Sequence, residues 1–170
     1  MPRETLLRLA ALAAILGGIA RGVDSFAFEF MDYRDSAILF LATDIALMLS
    51  LFGIYGLIAG KAGWLGLGGF VIAFVGFVMV RSAGDNIDSY VQGATVVAIG
   101  MAIFGVAILV ARAMSPIAPV LWIVALAAGV FAYFIESDWI FEFAGVAFGL
   151  GFVVAGIELF RRAGAAEAAA

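Results

Sequence analysis

The chain has no cysteine and no histidine, a single lysine, and few charges of any kind. Each absence removes a class of chemistry. Without cysteine there are no disulfides and no thiolate metal sites; without histidine there is no imidazole ligand for haem and no imidazole acid–base catalyst. A retinal Schiff base needs a lysine inside a helix, whereas Lys61 falls in a short link between apolar runs, so a rhodopsin-like pigment is not expected. The glycine-rich stretch GWLGLGGF at 63–70 has no strand before it and no Lys-Ser/Thr after it, so it is not a phosphate-binding loop. Only carboxylates and hydroxyls remain for catalysis. Nothing spaces them as nucleophile and base or as a metal cage, and we expect no enzymatic activity, no cofactor and no nucleic-acid partner.

What is present is apolar. Of the 170 residues, 66% are hydrophobic and 13% charged, and the mean hydropathy is +1.19, far outside the balance of a soluble domain. A hydrocarbon core of about 30 Å takes roughly 20 residues per helical crossing, which leaves room for about six crossings and little else. The apolar windows fall at about 5–23, 37–59, 64–82, 91–112, 117–135 and 139–160. The reading is an all-α integral membrane protein, a single domain over 1–170, built as a six-transmembrane-helix bundle with a short frayed tail at 163–170. The first window has a basic start and small residues before Arg21, as a signal peptide would; we read it as the first transmembrane helix.

Orientation follows from the basic residues. Arg3, Arg8, Lys61, Arg112, Arg161 and Arg162 mark the amino end, the second and fourth links and the carboxyl end, which places both termini in the cytoplasm of a cell (inner) membrane. The alternate links hold Asp24, Glu29, Asp32, Asp35, Asp85, Asp88, Glu136 and Asp138. Acids precede each helix that starts outside ("DYRDS", "DNIDS", "ESDW"). Each such helix then carries a Phe-Gly step, at Phe52-Gly53, Phe104-Gly105 and Phe148-Gly149, a pattern that three tandem hairpins would produce. The acid-and-serine signatures read first as helix caps, which satisfy free N–H groups and complement the macrodipole; the sharper reading is an acidic rim that attracts a cation.

Small residues recur four apart at Ala10, Ala14, Gly18 and Gly22, at Gly56 and Gly60, and at Gly145 and Gly149. Such stripes let helix backbones approach closely, either within the bundle or, for the first helix, against another membrane subunit or a second copy. Ionisable groups inside the membrane are costlier and so more telling. Asp44 lies roughly 10 Å below the outer surface at 1.5 Å per residue, and an ion pair with Arg21 is expected, Arg81 being the alternative partner. Glu158, with Arg161 and Arg162 three and four residues on, reads as an ordinary helix-face pair.

Polar side chains are distributed unevenly. Arg21, Thr43, Asp44, Arg81, Ser82, Gln92, Thr95, Tyr133 and Glu142 all fall in the outer halves of their helices, while the inner halves are relieved by little besides Ser50 and Tyr55. A channel needs groups that replace hydration along the whole path, and this chain offers them halfway. The candidate outer cluster is therefore Arg21, Asp44, Arg81, Gln92 and Glu142. The first outer link, "DSFAFEFMDYRDS", is oddly apolar and is expected to lie in the interface or fold over the bundle. Its Phe28-Glu29-Phe30 recurs as Phe141-Glu142-Phe143, an aromatic rim that reads either as an interfacial belt with Tyr90, Trp139, Trp64 and Trp122 or as a cradle for a small hydrophobic or cationic ligand.

Two functions are open on these grounds. One is binding or association at the outer face, as a subunit or accessory component of a membrane assembly. The other is solute capture for a transporter through an outward-facing pocket lined by Asp44 and Gln92. In size, six-crossing topology, the small-residue stripe Ala10-Ala14-Gly18-Gly22 and a long first outer link, the chain is similar to the substrate-binding components of energy-coupling-factor vitamin transporters. That similarity implies the capture function and brings no ligand motif with it.

Overall fold

The computed structural model describes residues 3–27, 33–84 and 86–167. It is all-helical: α1 Arg3–Ala27, α2 Tyr33–Ser82, α3 Ile87–Ala111, α4 Ile117–Ile135 and α5 Asp138–Glu167. The 5 helices are each long and apolar enough to cross a membrane. The helix ends extend past the apolar windows because flanking polar residues carry the hydrogen-bonded ladder beyond the hydrocarbon. The alanine-rich segment expected to fray at 163–170 continues α5 as far as Glu167, with Ala163 fully buried, which fits the high helix propensity of alanine.

The second and third apolar windows belong to one helix with a break. At Gly63 the backbone adopts φ 54, ψ −154, a region open essentially to glycine alone, and the expected link at 60–63 shrinks to that residue. The arms on either side, 33–62 and 64–82, double back on each other. Residues nearly equidistant from Gly63 along the chain meet: the Phe52 and Phe74 rings lie 5.4 Å apart, and Tyr55 stacks on Phe70 at 4.7 Å. In a straight helix of this length those side chains would be tens of ångströms apart. A Cβ at Gly63 would meet nothing within 4 Å, so Gly63→Ala isolates the backbone strain. We expect it to lower unfolding stability by about 1–3 kcal/mol, measured by denaturant titration in a membrane mimic.

The elements form a ring. α1 packs on α5 and on α2, α2 on α3, α3 on α4, and α4 on α5. Its centre is filled by Leu47, Leu51, Ile54, Ile58, Met101, Phe104, Trp122, Phe152 and Leu159, all fully buried. Trp122 is thus a core residue and leaves the interfacial belt in which its sequence position placed it: its ring sits 5.3 Å from Phe152 and 6.4 Å from Phe104. Trp64 and Trp139 stay exposed.

One end of the bundle carries Gly63, Arg112 and the outer limits of α1 and α5; we call it the basic end. The other, the acidic end, carries Asp88, Glu136 and Asp138. At the acidic end the side chain of Asn86 caps α3, its Oδ1 accepting from the Ser89 N–H at 2.9 Å. The cap in "DNIDS" is therefore the asparagine, with Asp88 and Ser89 already in the first turn. At the basic end Arg112 closes α3 in the left-handed conformation, and the side chain of Glu158 on α5 accepts from the Ser115 N–H at 2.9 Å while also pairing with Arg162. Glu158 is thereby more than a helix-face partner. It places a carboxylate at the start of α4, where no side chain of α4 itself caps the helix.

The Phe-Gly steps do not occupy equivalent positions. Gly53 faces Ala10 on α1, Gly105 faces Pro119 on α4 and Gly149 faces Gly18 on α1, while Phe104 and Phe148 are buried and Phe52 is exposed.

Candidate functional site

The face of α1 that turns inward is written at helical spacing as Ala10, Ala14, Gly17, Arg21 and Asp24. Its last two members enter the bundle at the acidic end. There they meet Thr43 and Asp44 from the first arm of α2, Arg81 from the second arm and Tyr90 from α3. Arg81 Nη1 donates to Asp44 Oδ2 at 3.3 Å, an ion pair whose side chains are 36% and 9% exposed respectively. Arg21 donates through both terminal nitrogens to the Tyr90 hydroxyl at 3.4 and 3.5 Å. The Arg21 guanidinium is also within electrostatic reach of both Asp24 and Asp44. Asp24 is only 2% exposed and neither of its carboxylate oxygens has a partner at hydrogen-bond geometry among the described residues; Thr43, 1% exposed, has its hydroxyl near enough to act on the carboxylate but outside hydrogen-bond geometry.

The polar contacts are long beside the about 2.7–2.9 Å of close charge-assisted bonds.

Three of the candidate cluster residues, Arg21, Asp44 and Arg81, are brought together, and Gln92 and Glu142 are not. Asp44 takes Arg81, the alternative partner, as its ion-paired neighbour, because the reversal at Gly63 sets the two arms of α2 side by side with these residues nearly equidistant from the turn. Gln92 is exposed on α3 and lines a hollow of about 220 Å³ with Met79, Ser82, Ala83 and Ser89. Glu142 is half-buried on α5 between the exposed rings of Phe141 and Phe143, outside the hydrogen bonds and the ion pair of the cluster. Phe28 and Phe30 lie outside the described residues. The cluster has two further members. Asp24, grouped by sequence with the loop acids, has a spacing from Ala10, Ala14 and Arg21 that places it on the inward stripe; Tyr90, by sequence a residue of the interfacial belt, turns its hydroxyl to Arg21, and no local signal marks it as that acceptor.

The small-residue stripe of α1 is largely filled from within. Gly18 lies against the Gly149 carbonyl and Val153 of α5, Ala14 against Gly156 of α5, and Ala10 against Gly53 of α2. The reading in which this stripe docks another chain therefore loses Ala10, Ala14 and Gly18. Gly22 keeps open space above it and, with Gly18, Ile19, Val23, Phe26, Val146, Leu150 and Val153, lines an apolar groove of about 500 Å³ between α1 and α5. Gly56 and Gly60 face open space rather than a neighbouring helix. The tightest seam is one that four-residue spacing does not reveal: α2 and α3 meet through Gly69 and Gly76 on one side and Gly93 and Gly100 on the other, seven residues apart on each helix.

Asp44, Asp24 and Thr43 line neither the 220 Å³ hollow nor the 500 Å³ groove. Among the described residues no group of three or more His, Cys, Asp or Glu is placed to hold a metal ion. Comparison with protein-family models, with curated proteins and with solved structures finds no match to this chain.

Proposed function

We propose that this protein is a six-crossing inner-membrane protein with both termini in the cytoplasm, which catalyses no reaction and acts by binding or association at its outer face as a subunit or accessory component of a membrane assembly. At 1.5 Å per residue the two arms of α2 span about 45 Å and about 28 Å, and each is long enough to count as a separate crossing. The basic end then faces the cytoplasm by the excess of Arg and Lys around it.

One observation carries the reading. Of the buried polar residues Asp24, Thr43, Asp44 and Ser50, the first three gather at the acidic end, while Ser50 returns its hydroxyl to its own helix at the Leu47 carbonyl, 2.7 Å away. Below that level the described interior is packed with aliphatic and aromatic side chains, which supports polar contacts at one face rather than a hydrated path through the bundle. What favours association is the outer half of α4, which leaves Phe131, Tyr133, Phe134 and Ile135 exposed with Ala132 buried among them, while Asp44 lines neither the 220 Å³ hollow nor the 500 Å³ groove.

The experiment is native mass spectrometry of the chain extracted from its own membrane, repeated with Phe131→Ala and Phe134→Ala combined. A co-purifying subunit that the double substitution removes supports the reading. A bare monomer in both preparations overturns it. Because the chain lacks cysteine, sidedness is read independently: Ser137→Cys should react with an impermeant thiol reagent in intact cells and Lys61→Cys should not.

A further inference from the structure

A carboxylate withdrawn from solvent with both oxygens unpaired is expensive, and the expense is greatest where the surroundings are hydrocarbon. Asp24 is such a group. The two arginines at its level are already engaged: Arg81 is hydrogen-bonded to Asp44 and Arg21 to the Tyr90 hydroxyl. What could complete Asp24 is limited by size and by ligand count. Asp24 is itself only 2% exposed, and neither it, Thr43 nor Asp44 lines the 220 Å³ hollow or the 500 Å³ groove, so neither of those spaces brings an organic ligand to its carboxylate. A hard metal cation demands about six oxygen ligands, more than one carboxylate and one hydroxyl offer, and it would share the cluster with two guanidinium groups.

We propose that Asp24, with the Thr43 hydroxyl as its hydrogen-bonding companion, is a proton-binding site fed from the acidic end of the bundle. The step forms one O–H bond on Asp24 and breaks one O–H bond of an arriving hydronium ion, which leaves as water; no electrons are transferred. The protonated carboxyl becomes a donor to the Thr43 oxygen, so a single proton satisfies both orphaned side chains. Among the described residues, the charged groups acting on it are Arg21 on its own helix and Asp44 on α2; Arg81 on α2 and Tyr90 on α3 stand one step further, bonded to Asp44 and Arg21 respectively. α5, packed along α1, carries Glu142 and Asp138 towards the same end, outside the cluster's hydrogen bonds and its ion pair. Asp44 is the less suitable acceptor because its charge is matched by Arg81 at 3.3 Å. The assignment stands on the cluster alone: failure to find a partner subunit would leave it untouched, and its own failure would leave the association reading intact.

The test is infrared difference spectroscopy on the full chain in lipid nanodiscs as pH is lowered and restored. A reversible carbonyl band of a protonated carboxylic acid is expected, lost in Asp24→Asn, retained in Asp44→Asn, and displaced in frequency but not lost in Thr43→Val. The Thr43→Val displacement is a readout that a merely structural role for Asp24 would not produce. Persistence of the band in Asp24→Asn, or its absence from the unsubstituted protein because the site holds only water, overturns the proposal. So does a spectral change driven by sodium at constant pH, which would mark a metal-cation site.

Discussion

Gly100→Ala is expected to destabilise the bundle by about 3 kcal/mol or more. A Cβ built at Gly100 falls 2.2 Å from the Ala73 nitrogen and 2.6 Å from its Cα. Those are backbone atoms of a neighbouring helix and have no rotamer to yield. The seam between α2 and α3 can accommodate the methyl only by moving apart, which would also loosen the contacts at Gly69, Gly76 and Gly93. The control is Gly56→Ala. A Cβ there meets nothing within 4 Å, so the higher helix propensity of alanine should make the change neutral or stabilising by up to about 1 kcal/mol. Both are measured by unfolding in the same micelle or bicelle. Equal effects at the two positions would show that the close approach of α2 and α3 is not a feature of the folded protein.

The second large effect is an asymmetry within one ion pair. Arg81→Met should cost about 3 kcal/mol, because it removes the direct ion-pair partner of the Asp44 carboxylate, whose side chain is 9% exposed, and leaves it only the more distant charge of Arg21. Asp44→Leu should cost about 1 kcal/mol, because the Arg81 side chain is 36% exposed and its long stem can carry the guanidinium to the interface. The double substitution should resemble Asp44→Leu alone, since it leaves no buried carboxylate without its ion-pair partner. Unfolding titrations of the three variants form a double-substitution cycle. If the two single substitutions cost the same, burial does not govern the pair and the geometry at the acidic end is wrong.

The pair also shows how far sequence reasoning reached. Composition and apolar windows are enough to predict helices across a membrane, since lipid leaves the backbone no partner but itself. They are also enough to place Arg21, Asp44 and Arg81 in one polar layer. They could not choose between Arg21 and Arg81 for Asp44, because depth along a helix does not say which helix stands beside which. The choice becomes legible once the reversal is known to sit on Gly63, since residues equidistant from a hairpin turn must meet. The glycines gave the opposite lesson. Spacing of four singled out Gly56 and Gly60, which face open space, and missed the seven-residue spacing that brings α2 and α3 into contact. A stripe of small residues permits close approach but does not say whether a helix comes.

Asp24 illustrates the same division. Its neighbours on the inward stripe were readable by counting in threes and fours. That it ends beside Thr43 with both oxygens unpaired depends on two helices converging at one level.

By itself, then, the sequence determined the solvent this chain folds in, its all-helical class and the level at which its polar groups collect, because hydropathy and helical period are properties of contiguous residues. Which charge pairs with which, which glycines touch and which carboxylate is left alone were decided only by the tertiary structure. Those outcomes depend on distances between helices, and no local pattern in the chain encodes them.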